Sequence, residues 1–217
     1  MKTINRIQQN VLATAERRLL TWMCARLPRW TTPDQLTGLG LFGGVLIFAG
    51  YAASSFHSGW LWLAIGGFVV HWLGDSLDGS LARFRKIERP DFGYFIDHSV
   101  DALANLMILA GLGLSPFVRL DIALFALAGY LLLSIHAFLA ARIVGEMRLS
   151  YLAAGPTELR LLLIAMSLLM LTFGPYPLFF TGLSWFDLFV GSVGVIMVIL
   201  FIVQTLSTAR MLATRGR

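Results

Sequence analysis

Acidic residues are concentrated between positions 75 and 101 of an otherwise strongly apolar sequence. Asp75 and Asp78 are three residues apart. Asp97 and Asp101 are four residues apart, and either spacing puts two side chains on one face of a helix. Carboxylates within an apolar span are costly and usually functional, and four together would repel one another without a cation between them. Because oxygen ligands suit Mg²⁺ or Mn²⁺ better than zinc or copper, we predict a site for one or two divalent cations.

The alternative is that these carboxylates form salt bridges between helices. Their partners would be the basic residues of the segment that follows Asp78, namely Arg83, Arg85, Lys86 and Arg89. Such pairing would explain neither the spacing of the aspartates nor the glycine that directly follows Asp78. We therefore favour the cation site.

Gly79 and Arg83 make the expected chemistry more specific. Gly79 has no side chain, so a ligand could approach the backbone there. Arg83 is one helical turn further on and carries a fork of donors suited to phosphate. A cation beside a pyrophosphate site fits phosphoryl transfer between a nucleotide-activated compound and an alcohol, one of them a lipid, with a carboxylate accepting the hydroxyl proton.

The stretch from Asp75 to Asp101 resembles the signature of the CDP-alcohol phosphotransferases, which is D-x-x-D-G-x-x-A-R, a short spacer and G-x-x-x-D-x-x-x-D. The fixed positions are filled by Asp75, Asp78, Gly79, Ala82, Arg83, Gly93, Asp97 and Asp101, and the spacer covers positions 84–92. The resemblance implies an integral membrane enzyme of phospholipid biosynthesis that transfers a substituted phosphate and releases CMP. It also implies a homodimer.

The same resemblance assigns roles to individual residues. It implies Mg²⁺ or Mn²⁺, with two ions bound, and metal binding by Asp75, Asp78, Asp97 and Asp101. Asp101 would also be the catalytic base that deprotonates the acceptor hydroxyl. The nucleotide would contact Asp34, Thr37, Asp75, Gly79 and Arg83. Asp34 and Thr37 lie in a segment similar to the family's P-N/D-x-x-T element, although Asp34 could equally cap the first span.

Several substrate pairs and protein classes fit this pattern. We expect a CDP-diacylglycerol donor and a small soluble alcohol acceptor, because chain size and span count are similar to those of prokaryotic members of the family. The alternative is CDP-choline or CDP-ethanolamine with diacylglycerol as acceptor. Intramembrane prenyltransferases also hold diphosphate through metal-bound aspartates, but they lack the framework of Gly79, Ala82 and Arg83. A divalent-cation transporter is disfavoured because its site would more often lie near the membrane midplane.

A second polar group follows the fourth predicted span. The side chains that we expect to contact the acceptor are Arg142, Glu158 and Arg160. The arginines would bind an acceptor phosphate, or Glu158 would bind an acceptor amine or hydroxyl. In the simpler interpretation, Thr157 caps the fifth span and Glu158 lies in its first turn, where the helix dipole favours an acid.

The composition excludes a soluble globular domain, because 57% of the residues are apolar and 13% charged, whereas about 25% charged is usual. Charged residues are absent from 35–74, 102–118, 122–141, 161–186 and 188–209, and such runs indicate helices rather than barrel strands. A crossing needs roughly 20 residues, so we predict an all-α membrane protein with six transmembrane helices. They are placed at 34–53, 60–85, 93–114, 119–145, 157–173 and 184–210.

An amphipathic surface helix is predicted over residues 3–30, ahead of the first span. It lies in a juxtamembrane segment, 1–32, which together with the catalytic segment 33–217 forms one domain over 1–217. The six basic residues of the segment 1–32 suit an anionic leaflet of membrane lipids. We expect no cleavable secretory signal, because the first residues contain no compact apolar stretch.

The positions of Lys and Arg predict the orientation in the membrane. One side of the membrane carries the N-terminal helix, the loops between spans two and three and between spans four and five, and the C-terminus. Sixteen of the seventeen Lys and Arg residues fall on this side, and the exception is Arg119. By the positive-inside rule, this side faces the cytoplasm, with both termini and the active site. We expect the membrane to be a bacterial inner membrane. The net charge of +5 is then a topology signal, and no nucleic-acid partner is expected.

Glycine and histidine within the predicted spans are expected to serve mainly in packing. The glycines interpreted as close helix contacts are Gly43, Gly44, Gly66 and Gly67. His71 lies one turn before Asp75, and we expect a hydrogen-bonded packing residue there, with support of the cation ligands as the alternative.

Overall fold

The computed structural model describes residues 5–7, 13–144, 146–148, 156–176 and 182–215. These residues form seven α-helices and one pair of short strands. The helices are α1 (Ala13–Cys24), α2 (Pro33–Ala53), α3 (Leu61–Arg85), α4 (Pro90–Leu114), α5 (Leu120–Val144), α6 (Pro156–Phe173) and α7 (Trp185–Arg215). The strands β1 (Asn5–Ile7) and β2 (Glu146–Arg148) pair in parallel. The predicted all-helical architecture is confirmed apart from this strand pair.

Each of the six predicted spans coincides with one helix, from α2 to α7. The clearest difference in position is the end of α7, which continues to Arg215 instead of ending at 210. Within the described residues, four helices are long and apolar enough to cross a membrane: α2, α4, α5 and the part of α7 from Trp185 to Thr214. Because α3 and α6 are not in this group, the count of six spans stays a prediction.

The N-terminal helix is shorter than predicted. The pattern predicted a helix over 3–30, but α1 covers only the middle of this region, and Asn5–Ile7 is strand β1. That strand pairs with a segment far along the chain, which no local periodicity can reveal. After α1, the Leu27 amide still donates to the Met23 carbonyl, but Pro28 has no N–H to continue the helix. The other predicted residues before α1 lie outside the described part of the chain.

α2 and α3 pack with their backbones in contact through glycines. A Cβ on Gly74 would lie 2.2 Å from the Gly40 nitrogen, and a Cβ on Gly43 would lie 2.4 Å from the His71 nitrogen. Only glycine allows so close an approach. The predicted close contacts are confirmed at Gly43, Gly44 and Gly67. The prediction is wrong for Gly66, where a Cβ would meet nothing within 4 Å.

α2 begins with a capping box. The Thr32 side chain accepts a hydrogen bond from the Gln35 amide at 3.3 Å, and Gln35 Oε1 accepts one from the Thr32 amide at 2.9 Å. Pro33 is the first helical residue, where its missing N–H costs nothing. The interpretation of Asp34 as the cap is therefore wrong, and Asp34 lies in the first turn.

Two apolar clusters hold the helices together. The larger cluster contains buried side chains from every helix from α2 to α7. Among them are Ile47, Tyr51, Phe68, Leu112, Ala126, Met170 and Val190. The Tyr51 and Ser167 hydroxyls lie 2.8 Å apart within it, so each has a hydrogen-bond partner away from water. The smaller cluster joins α1 to α2 and α3 through Leu20, Cys24, Leu36, Leu77 and Leu81.

Arg85, the last residue of α3, fixes the connection between α1 and α2. Its guanidinium donates to four backbone carbonyls at 2.5 to 3.3 Å, those of Leu27, Pro28, Arg29 and Thr31. The planar fork of an arginine suits several acceptors at once. Arg85 is thus engaged by the backbone, contrary to the salt-bridge alternative considered for it.

Candidate functional site

Three aspartate side chains meet between α3 and α4. One carboxylate oxygen from each of Asp75, Asp97 and Asp101 lies within 4.8 Å of the others. α3 packs closely on α2, and α4 packs closely on both α2 and α5. The carboxylates therefore come from two helices, α3 and α4, that both pack on α2. The predicted meeting of the two aspartate pairs is present for these three residues, here called the aspartate cluster.

Asp78 lies beside the aspartate cluster and has partners of its own. Its Oδ2 accepts a hydrogen bond from Thr37 Oγ1 at 2.7 Å, and its Oδ1 accepts one from the Gly79 amide at 2.5 Å. The side chain is buried. Asp78 shares a pocket with two members of the cluster, Asp75 and Asp97, and the other lining residues are Thr37, Gly40, His71 and Val100. Thr37 thus reaches the site, as expected, whereas metal binding by Asp78 stays a prediction.

Arg160 on α6 reaches the aspartate cluster and pairs with Asp75. Its Nη2 forms an ion pair with Asp75 Oδ2, and the exposed fractions of the two side chains are 11% and 21%. The same nitrogen lies 3.5 Å from His71 Nε2. His71 Nδ1 is 2.9 Å from the Gly40 carbonyl oxygen, so we assign the proton to Nδ1 and the role of acceptor to Nε2. His71 is thus a hydrogen-bonded packing residue, as expected, and it also faces Arg160.

Gly79 and Arg83 lie next to each other on α3. A Cβ on Gly79 would lie 3.2 Å from Arg83 Nη1, so the guanidinium lies close over this part of α3. Arg83 Nη2 also donates to Ser80 Oγ at 3.4 Å, and the Arg83 side chain is exposed. The arrangement leaves a guanidinium beside a backbone position that has no side chain.

Asp34 lies at the rim of the site in an ion pair with Arg89, from the connection between α3 and α4. Both side chains are about half exposed. The Arg89 guanidinium also lies 4.2 Å from the centre of the Phe92 ring, a cation–π contact. Arg89 therefore joins the start of α2 to the start of α4, and its pairing is with Asp34.

The residues predicted to bind the acceptor lie in different places. Arg160 is at the aspartate cluster, whereas Arg142 is exposed in the last turn of α5 and does not line the pocket. Glu158 lies in the first turn of α6, as predicted. The cap predicted for Thr157 is wrong, because α6 already begins at Pro156, and the Thr157 hydroxyl donates to Glu16 instead.

Sequence reasoning missed Glu16, which lies beside the site. This residue of α1 contacts α3 and α6, and its one signal is that it is the sole acidic residue among positions 1–32.

The donor set at the aspartate cluster fits a hard divalent cation. Its ligand atoms are carboxylate oxygens, which hard cations prefer, and the ion pair of Arg160 is with Asp75. The thiol of Cys24 is buried between α1, α2 and α3, where burial raises its pKa. It therefore packs as an apolar side chain.

A family model described as CDP-alcohol phosphatidyltransferase matches residues 30–205 of the chain. The matched range begins just before α2 and ends within α7, so it includes the aspartate cluster, Asp78, Arg83 and Arg160. α1 and Glu16 lie outside it.

Three relatives share part of the chain. The archaetidylinositol phosphate synthase of Pyrococcus horikoshii is 35% identical over 105 residues, which cover 48% of this chain and 52% of that protein. The archaetidylinositol phosphate synthase of Methanothermobacter thermautotrophicus is 31% identical over 134 residues, 62% of this chain and 65% of that protein. Cholinephosphotransferase 1 of Danio rerio is 27% identical over 123 residues, 50% of this chain and 32% of that protein. The chain thus spans about half to two thirds of the length of the archaeal relatives.

Proposed function

Because the chain belongs to the CDP-alcohol phosphatidyltransferase family, we propose that it transfers a substituted phosphate from a CDP-activated alcohol to a second alcohol and releases CMP. The family match confirms the resemblance inferred from the signature. The observation that carries the proposed activity is the meeting of Asp75, Asp97 and Asp101 within 4.8 Å, beside the partly buried guanidinium of Arg160.

We assign cation binding to the four aspartates of the signature. Asp75, Asp78 and Asp97 would hold Mg²⁺ or Mn²⁺, and Asp101 would contribute to a second ion position. Bound divalent cations neutralise charge on the pyrophosphate and on the leaving group. Thr37 and the Gly79 amide orient the two oxygens of Asp78, and Arg160 orients the Asp75 carboxylate.

Asp101 is the proposed general base. The acceptor hydroxyl attacks the phosphorus that bears the donor alcohol, and the bond from that phosphorus to the CMP oxygen breaks. The hydroxyl proton passes to a carboxylate oxygen of Asp101, so no covalent enzyme intermediate is needed. The support for this role is the position of Asp101 on α4, one turn after Asp97 and within the aspartate cluster.

The nucleotide is proposed to lie against α3 and the start of α2. Gly79 has no side chain, and the Arg83 guanidinium beside it can donate two parallel hydrogen bonds to phosphate. Thr37 acts through Asp78, to which it donates. The proposed nucleotide contacts are Asp34, Thr37, Asp75, Gly79 and Arg83.

For the substrates, we propose a CDP-diacylglycerol donor and a phosphorylated alcohol of the inositol phosphate type as acceptor. Two relatives are named archaetidylinositol phosphate synthases, which supports a phosphorylated acceptor. Arg160 supplies a donor fork beside the aspartate cluster, where an acceptor phosphate could bind. Arg142 and Glu158 remain candidates for further acceptor contacts from the ends of α5 and α6.

A second candidate is the reverse arrangement, with CDP-choline or CDP-ethanolamine as donor and diacylglycerol as acceptor. The similarity to a protein named cholinephosphotransferase 1 favours it. Both candidates use the same aspartates, and they differ in which substrate is the lipid.

In the membrane, we propose six spans, α2 to α7, with α1 on the cytoplasmic surface. The support is the position of basic residues at the ends of α3, α5 and α7, and from the positive-inside rule we infer that these ends and the aspartate cluster face the cytoplasm at a bacterial inner membrane. A homodimer stays a prediction from the resemblance.

CMP release by the purified chain in detergent, with Mg²⁺ or Mn²⁺, tests the function. CDP-diacylglycerol is offered with inositol phosphate, glycerol phosphate, serine or inositol, and CDP-choline or CDP-ethanolamine is offered with diacylglycerol. We expect CMP release that depends on CDP-diacylglycerol and inositol phosphate. Release only in the presence of diacylglycerol acceptor would favour the second candidate.

Absence of CMP release from every CDP donor by a folded protein would contradict the proposed activity. In that case, diphosphate release from a prenyl donor would favour a prenyltransferase. Cation uptake into proteoliposomes without a nucleotide would favour a transporter.

A further inference from the structure

We infer that Glu16 is a positioning residue, which fixes the first turn of α6 against α3 and so holds Arg160 beside Asp75. The part of the inference that concerns substrate rests on the proposed function. Glu16 precedes the residues that the family model matches, so the family match assigns it no role.

α1 presents Glu16 from a fixed position. Leu20 and Cys24 of α1 are buried against Leu36, Leu77 and Leu81. The connection that follows α1 is held by the Arg85 guanidinium through four backbone carbonyls. Glu16 lies in the first turn of α1, where the helix dipole favours an acidic side chain. A carboxylate carried by this docked helix can serve as a fixed anchor for its neighbours.

One oxygen of Glu16 connects three helices. Its Oε1 accepts hydrogen bonds from Trp72 Nε1 on α3 at 2.9 Å and from Thr157 Oγ1 on α6 at 2.9 Å. Ser76 Oγ, also on α3, lies 3.5 Å from the same oxygen. Trp72 and Ser76 are four residues apart and share one face of α3. The Glu16 carboxylate therefore bridges this face of α3 to the first turn of α6.

The residues that Glu16 holds lie next to those of the site. Ser76 directly follows Asp75 in α3, and Thr157 lies three residues before Arg160, on the same face of α6. A shift of the first turn of α6 would therefore move the Arg160 guanidinium away from Asp75. Displacements of about 1 Å in a positioning group can cost about 100-fold in rate, so this anchor matters for activity.

The chemistry of the bridge requires an acceptor oxygen at this place. Both short hydrogen bonds have neutral donors and a carboxylate acceptor, and such charge-assisted bonds are stronger than neutral ones. The amide oxygen of Glu16→Gln can still accept from Trp72 and Thr157, whereas Glu16→Ala leaves both donors without this partner. The two variants thus separate loss of the bridge from loss of the charge.

Two measurements on the full chain in detergent test the inference. The first is hydrogen exchange of the first turn of α6, which does not depend on activity. We expect faster exchange at the amides of residues 160–163, which donate to the carbonyls of this turn, in Glu16→Ala and near-native exchange in Glu16→Gln. The matched control is Arg18→Ala, which removes an exposed side chain from the same helix. Unchanged exchange of this turn in folded Glu16→Ala would overturn the inference, whatever the enzyme does.

The second measurement is the kinetics of CMP release from CDP-diacylglycerol with inositol phosphate. We expect Thr157→Val to raise the KM for inositol phosphate about tenfold, as expected for loss of one charge-assisted hydrogen bond, and Glu16→Ala to raise it at least as much, with the donor KM within about twofold in both. Their effects should not add in the double variant, because both break one bridge. Equal changes in both KM values, or additive effects, would show a merely structural role. A wild-type chain without CMP release would contradict the proposed function, while the exchange experiment would still decide the role of Glu16.

Discussion

At the scale of single residues, Arg160 is the side chain that completes the site from outside the signature. It pairs with Asp75, which lies 85 positions earlier in the chain, and it faces His71. The sequence predicted that all four signature aspartates would converge, because spacings of three and four residues define a helix face locally, and three of them meet while Asp78 lies beside them. It also predicted a role for Arg160 because of its charge. The pairing of Arg160 with Asp75 could not be predicted, because local spacing says nothing about partners this distant in sequence.

The Arg160 contact predicts a specific kinetic effect. Arg160→Lys retains the positive charge but loses the planar fork, so we expect the KM for a phosphorylated acceptor to rise about tenfold, and further in Arg160→Ala. CMP release at varied acceptor concentration measures this KM. Arg119→Lys, at an exposed arginine of the α4–α5 connection, should leave it unchanged. An unchanged acceptor KM in Arg160→Ala would show that Arg160 does not bind the acceptor.

At the scale of helices, α2 is the element against which the site is built. It packs closely on α3 through glycines and on α4, and it supplies Thr37 to Asp78. Charge-free runs predicted helix positions well, because a long apolar run has few other ways to satisfy its backbone. The same runs could not show which glycine faces another helix, so Gly67 was correctly predicted and its neighbour Gly66 was not.

The glycine contact predicts that Gly74→Ala is strongly destabilising. Its Cβ would lie 2.2 Å from the Gly40 nitrogen and 2.6 Å from the Leu36 carbonyl oxygen, so the backbones of α2 and α3 must separate. Overpacking typically costs about 1–3 kcal/mol, which corresponds to a fall of roughly 5 °C in the Tm. Thermal unfolding in detergent measures this change.

Gly66→Ala is the matched control for this prediction, because its Cβ would meet nothing within 4 Å. We expect its Tm to stay at or slightly above that of the wild type, since alanine favours a helix more than glycine does. Equal Tm values for the two variants would contradict the close contact of α2 and α3.

At the scale of the whole molecule, the chain places its acidic site next to its basic segments. Arg83, Arg85 and Arg89 follow the aspartates of α3, and α1 docks on the same end of α3 near Arg85. The sequence predicted the distribution of charge but not the strand pair β1–β2 or the bridge through Glu16. Both depend on contacts between the N-terminal region and the segment near α6, which form only when the whole chain is folded.

The charge distribution predicts the orientation in a bacterial inner membrane. Cys24 is the single cysteine and is buried, so Cys24→Ala gives a background for new thiols. In that background, we expect Phe56→Cys, at an exposed position between α2 and α3, to react with an impermeant maleimide in intact cells. Glu88→Cys, between α3 and α4, should react only after the membrane is opened. The reverse pattern would place the aspartate cluster on the outer side.

The central claim is that the aspartate cluster transfers the substituted phosphate with Asp101 as the base, and the kcat of Asp101→Asn for CMP release tests it most directly. We expect a fall of at least about 100-fold, the usual contribution of a general base, with near-native thermal stability. Asp121→Asn, at an exposed aspartate in the first turn of α5, should retain the wild-type kcat. A folded Asp101→Asn protein that releases CMP at the wild-type rate would contradict the claim.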